Sequence, residues 1–264
     1  MAAAKTCGLL VHGTRRLLPG RVGVYKTDFE AWTARNGKGL NAAFAFPDPS
    51  DAELMHTLIW AKGDLRGAGP RSEAFASTVE DRDTLAVYGS GTVTSTDSGV
   101  RCESHVPLAG FIRSGQEHPG AAGAPMIGVF QRALKPGRLD ELARTFQVVC
   151  DIWHATVPGI LAATVSRDVA DANVVHDVRI FADAASYAAH VDKSNAELTM
   201  AMEEWFEHYD TSVPHRGALY AEDTRDPSLR TSSIKDTPVK VAFNTFHYGD
   251  GGMIGDVPSL TPGA

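Results

Sequence analysis

"GLNAAFAFPDPSDAELMHTLIWAKG" (residues 39–63) and "GILAATVSRDVADANVVHDVRIFAD" (residues 159–183) lie over one another without a gap, at an offset of 159 − 39 = 120. Gly39 falls on Gly159, Ala42 on Ala162, Ala43 on Ala163, Asp51 on Asp171, Ala52 on Ala172 and His56 on His176. The apolar positions agree too: Leu54, Leu58 and Trp60 fall on Val174, Val178 and Ile180. Such an ordered series points to an internal repeat, which has to be read before any local element.

The repeat extends upstream. "RRLLPGR" begins at Arg15 and "RALKPGR" at Arg132, and the two Pro-Gly-Arg phrases lie 136 − 19 = 117 positions apart. An apolar run precedes each phrase and reads as a strand. Proline suits the first turn of a helix, so each phrase is expected to open one. Val22, Tyr25, Phe29 and Trp32 in the first copy, and Leu139, Leu142, Phe146, Val149 and Trp153 in the second, recur at helical spacing. Gly39 and Gly159 mark the stops. Two strands joined by a polar turn follow in each copy. The second copy continues with Asp183 as a helix cap, a capping-box pattern from Ser194 to Glu197 and a stripe of Leu198, Met202, Trp205 and Phe206. Its last strand is expected in "VKVAFNTFHYG", from Val239. The first copy has a Gly-rich stretch in place of the second helix, and "TLAVYGSGTV" (84–93) reads as its final strand.

Each unit is therefore β-α-β-β-α-β, the ferredoxin-like arrangement. The expected organisation is a first unit over 1–95 with a degenerate second helix, a Gly-rich linker over 96–124, a second unit over 125–255 and a tail over 256–264. A chain of 264 residues, 43% hydrophobic and 22% charged, can bury such a core. The net charge of −7 and the lack of a Lys/Arg block argue against nucleic acid as partner. No apolar run has the length of a membrane span. The start reads as a strand and not as a secretory leader. Three cysteines without paired metal spacing read as reduced thiols, which points to the cytoplasm.

The second copy resembles the antibiotic-biosynthesis-monooxygenase-like (ABM) domains of the dimeric α+β barrel superfamily, through "KPGR" after the first strand, "PGI" before the second and "FADAASYAAH" after the third. The resemblance covers most of 125–210. It implies an α+β fold in which two antiparallel sheets pair into a barrel, here within one chain. It also implies a pocket between sheet and helices in each half. A homodimer of the tandem chain is compatible with it. Members include oxygenases that need no bound cofactor and convert phenols, anthrones or quinols with molecular oxygen, so a small apolar or aromatic substrate is expected. Fold alone does not settle chemistry. A non-catalytic small-molecule or pigment-binding barrel and a structural dimerising module stay open. The first strand of the second copy has no Asn, and His190 stands where the haem-degrading branch has Trp, which argues against haem degradation.

Strand alternation sorts the candidate residues. Val174, His176, Val178 and Ile180 share one face, expected to meet helices and pocket; Val175, Asp177, Arg179 and Phe181 share the other, with Asp177 and Arg179 expected as an ion pair in the barrel interior or between the halves rather than as substrate ligands. His176 and His190 are the candidate catalytic bases, since an imidazole titrates near neutral pH. The competing reading is a satisfied core histidine. Tyr187, one helical step before His190, is expected to orient a substrate oxygen, with Trp153, Phe146 and Trp205 as an aromatic wall. Asn244, His247, His56 and Trp60 are further substrate-side candidates. No HxH or HxxxH spacing predicts a metal ligand set, and no phosphate-loop pattern supports a nucleotide. "HYGDGGMIGD" (247–256) reads as a loop that closes over a pocket or ends the strand.

Overall fold

A computed structural model describes residues 9–17, 19–48, 51–62, 100–113, 125–168, 171–213, 239–240, 245–248 and 252–254. The first unit contains β1 (Leu9–Arg16), α1 (Val22–Asn36), β2 (Leu40–Pro47), β3 (Leu54–Ala61) and β4 (Val100–Ile112). The second contains β5 (Met126–Ala133), α2 (Leu139–Thr156), β6 (Ile160–Asp168), β7 (Val174–Phe181), α3 (Ala184–Ala189), α4 (Ala196–Phe206) and β8 (Val239–Lys240), followed by β9 (Thr245–Tyr248) and β10 (Gly252–Ile254).

The Pro-Gly-Arg phrases do not enter the helices. Each makes the turn before one, with Gly20 at φ 74° and Gly137 at φ 76°. Arg138 N–H donates to Lys135 O (3.2 Å), so Pro136 and Gly137 are the central pair of a type II-like turn that needs a residue tolerant of positive φ. The helical bonds then start from the arginine in both units: Tyr25 N–H to Arg21 O and Leu142 N–H to Arg138 O, each 2.9 Å. The later caps follow the same logic. Asp183 accepts from Ser186 N–H at 2.7 Å, as its position predicts. The cap of α4 is Asn195, which accepts from Leu198 N–H at 3.1 Å. Ser194, the expected cap, is instead held in the preceding turn, its N–H on Asp192 Oδ1 at 2.9 Å.

The strands form one antiparallel sheet in the order β8-β5-β7-β6-β4-β1-β3-β2-β9. Each unit has the order fourth-first-third-second, and β4 joins them. Its first half pairs with β1 from Val100 to His105, and its second half pairs with β6 from His105 to Ile112. The two outer strands are β8 and β9, and apolar side chains from both units meet on one face of the sheet, which curls around them as a barrel. The expected linker 96–124 is thereby corrected: most of its first half is the crossover strand that welds the units. Both the predicted 84–93 strand and the Gly-rich replacement of the second helix lie outside the described residues. Residues 252–254, within the expected loop, add a strand to β4 at Gly110–Ile112.

Three apolar clusters follow. Leu10, Phe44, Phe46, Leu58 and Trp60 meet Ile127, Val129, Leu161, Val178 and Ile180 inside the barrel, so both units build one interior. Outside, α1 lays Tyr25 and Phe29 on Val11, Ala43 and Ile59. On the other unit, α2 and α4 lay Phe146, Trp153, Leu198 and Trp205 on Val165, Val175 and Phe181. β7 is thus buried on both faces, and the expected assignment of its faces is reversed. Val178 and Ile180, on the His176 face, point into the barrel, whereas Val175 and Phe181, on the Asp177–Arg179 face, meet the helices. No described helix is long and apolar enough to cross a membrane.

Candidate functional site

A cavity of about 500 Å³ opens between β7 and the helical hairpin α3–α4. Arg179, Tyr187, His190, Leu198, Met202 and Phe206 are the lining residues that give it character, with Lys193 and Glu203 among the polar ones. Tyr187 and His190 come from α3 and its C-terminal residue. The imidazole stacks on the Tyr187 ring (4.8 Å between centroids, 29°) and lies 4.9 Å from the Phe181 ring. Its Nδ1 is bonded to the Tyr187 carbonyl. A carbonyl only accepts, so the proton sits on Nδ1 and the Nε2 lone pair is an acceptor. Burial, and then the nearby Arg179 charge, lower the His190 pKa from 6.5 to about 4, against a smaller rise from the Tyr187 carbonyl. This imidazole is neutral at neutral pH.

Arg179 reaches the cavity from β7 and is 4% exposed. Its Nη2 lies 3.2 Å from Asp177 Oδ2, and Arg132 Nε lies 3.7 Å from the same oxygen. The Phe130 ring carries both guanidinium groups, at 4.6 Å from Arg179 and 5.1 Å from Arg132. The expected Asp177–Arg179 ion pair exists, but beneath the helices and not in the barrel.

Phe146, Trp153 and Trp205, the expected aromatic wall, are fully buried behind the cavity in a cluster of edge-to-face rings. Trp153 Nε1–H donates to the His190 carbonyl at 2.9 Å, which fixes the residue that carries the imidazole. Trp205 Nε1–H donates to the Tyr209 hydroxyl at 3.0 Å. Trp60 lies in the barrel, edge-on to Phe44. His247 is in β9, and Asn244 falls outside the described residues.

His176 lies across the sheet from the cavity. Its Nε2–H donates to Asp168 Oδ2 at 2.9 Å, and its ring stacks on His105 of β4 with centroids 3.6 Å apart. The first unit repeats part of this. His56 Nε2–H donates to Asp48 Oδ2 at 3.0 Å, and His56 Nδ1 is 3.2 Å from His12 Nε2. Both pairs obey the repeat: 176 − 56 = 120 and 168 − 48 = 120. The paired aspartates were therefore legible in the sequence, eight positions before each histidine. Arg179 was legible as a strand residue, but not as a pocket residue.

No family model and no curated protein sequence matches the chain. Solved structures do. A protein of Lactobacillus acidophilus NCFM superposes with a TM-score of 0.62 at 11% identity, over 93% of this chain and 98% of that one. A protein of Fusobacterium nucleatum subsp. nucleatum ATCC 25586 superposes at 0.55 and 12% identity, over 94% and 97%. Both carry the name "putative monooxygenase". At these identities the likeness is one of fold, and it runs through both units. The chain therefore shares the fold of these two proteins, an α+β barrel whose two ferredoxin-like halves lie in one polypeptide.

Proposed function

We propose that the protein is a cofactor-independent monooxygenase that oxidises a phenol, anthrone or quinol-like aromatic in the His190 cavity, with molecular oxygen as co-substrate. The observation that carries this reading is the convergence of a neutral imidazole and a buried guanidinium on one largely apolar cavity. Leu198, Met202 and Phe206 suit a flat apolar body. Arg179 offers positive charge where a substrate anion would form. The names of the two full-length fold neighbours agree with this chemistry.

His190 is a weak base. A phenol-type hydroxyl titrating near 10 would lose its proton to a group near 4 at a cost of roughly 8 kcal/mol. Arg179 offsets part of that by holding the anion. The same charge that weakens the base therefore stabilises the conjugate anion, and Nε2 takes the proton only from a substrate seated against Arg179. The anion then reduces oxygen. For a methylene going to a carbonyl, one oxygen atom enters the product and the other leaves as water with the two hydrogens. His176 takes no part in the cavity on this reading. The buried free thiol of Cys150 fits a reducing cytoplasmic setting.

A second reading, a non-catalytic aromatic-binding barrel, is favoured by that low basicity. The test is oxygen uptake with product analysis over a panel of anthrones and hydroquinones. Turnover that falls at least tenfold in His190→Gln and in Arg179→Met supports the enzyme. Binding without turnover, lost when Met202→Trp fills the cavity, supports the second reading and removes the first.

A further inference from the structure

His105, Asp168 and His176 each present one ligand atom within 4.8 Å of the other two. Asp168 stands directly opposite His105 in the β4–β6 ladder, and His176 stands opposite Ser166 in the β6–β7 ladder, two residues before Asp168. His105 also stands opposite Leu10, which points into the barrel. All three side chains therefore occupy the barrel face, close to one mouth. The two histidine side chains are 2% and 1% exposed, and the Asp168 side chain is 20% exposed, which leaves a way in from solvent.

We propose that these three residues form a divalent transition-metal site, of the kind that takes Zn²⁺, which staples the first unit's crossover strand to the second unit. Two imidazoles and one carboxylate are a common ligand set for such ions, with water completing the sphere. Ligand atoms about 2.1 Å from a tetrahedral ion stand roughly 3.4 Å apart. The His176 Nε2 to Asp168 Oδ2 distance is 2.9 Å and the His105 Nδ1 to Asp168 Oδ2 distance is 3.9 Å, one on each side of that value. Closing the set needs a shift of about half an ångström and rotation of the two rings out of their 27° stack, so that both lone pairs aim at one point.

The first unit supplies an internal contrast. The third member of its cluster, His12, comes from β1, at the position occupied by Val129 in the second unit (129 − 12 = 117). There the side chains run in a line. His12 Nε2–H donates to His56 Nδ1, and His56 Nε2–H donates to Asp48. His56 spends both nitrogens in this relay. Of the two clusters, the second converges, because its third member, His105, arrives from the other unit. The site lies on the opposite face of β7 from the His190 cavity and does not depend on the oxidation reading.

The test uses the full chain, stripped with chelator and titrated with Zn²⁺ alone by calorimetry, then with Co²⁺ followed by its d–d absorption. The expected result is one equivalent bound, a Co²⁺ spectrum of a low-coordinate N/O site and a Tm that rises with Zn²⁺. Binding weakens at least 100-fold in Asp168→Asn and His105→Gln and stays unchanged in His12→Gln. His105→Gln leaves the His176–Asp168 bond intact, so it decides the matter if Asp168→Asn fails to fold. No binding by the folded wild-type chain overturns the proposal, as does equal binding by folded His105→Gln, which would mark surface histidines as the ligands.

Discussion

The imidazole of His190 donates its Nδ1 proton to the carbonyl of Tyr187, one helical step earlier, and lies stacked on the ring of the same residue. One short helix thereby fixes the tautomer, the ring plane and the position of the free acceptor nitrogen at the cavity wall. This pairing and three other features of the fold can each be tested by measurement.

The His190 resonance is expected to titrate near 4 by NMR, well below a solvated histidine. In the unfolded chain the same residue titrates near 6.5, so between these values the unfolded state binds more protons. Its contribution leaves stability unaffected above about pH 6.5, lowers it as pH falls towards 4, and levels off below that. The loss is about 3 kcal/mol at most. Urea midpoints of wild type and His190→Gln across this range check it. A slope unchanged by the substitution would refute the assignment.

Asp177→Asn removes the carboxylate that stands between Arg132 and Arg179, all three being buried. Breaking a buried charge cluster on one side is expected to cost roughly 3–5 kcal/mol. Chemical denaturation reads the effect directly, and a change below 1 kcal/mol would show that the trio is not electrostatically coupled.

Gly110→Ala is expected to loosen the seam between the units. Gly110 sits at φ 132°, next to a register shift in the β4–β6 ladder, and a Cβ there would lie 2.1 Å from the Ala163 carbonyl oxygen. Neither the dihedral nor the space suits an L side chain, so the cost is roughly 2–4 kcal/mol. Faster hydrogen exchange across β4 and β6 should accompany it, with β1–β3 pairing less affected.

Trp153→Phe keeps an aromatic ring against Phe146 and Trp205 but leaves the buried His190 carbonyl without its indole donor. A loss of about 1–3 kcal/mol is expected. The His190 titration should shift as well, because its backbone is no longer held. A shift in stability with an unmoved His190 pKa would mean that Trp153 only fills space.

The repeat by itself determined much of this protein. The 120-residue offset between His56 and His176, the two Pro-Gly-Arg turns and the helical spacing of Phe146, Val149 and Trp153 are local patterns, and local patterns survive in a sequence. Strand alternation correctly separated His176 from Arg179. It could not say which of them faced the helices, because β7 is buried on both faces, and a strand of that kind carries no polar side to orient it. Nor could sequence place Val100–Ile112, whose role as the weld between the units depends on two ladders formed with β1 and β6. The tertiary structure alone decided that Arg179 and His190 share a cavity, and that His105 of one unit meets Asp168 and His176 of the other. The first meeting is made by the packing of the α3–α4 hairpin over β7 and the second by the β4–β6 ladder, and neither is announced by a spacing rule in the chain.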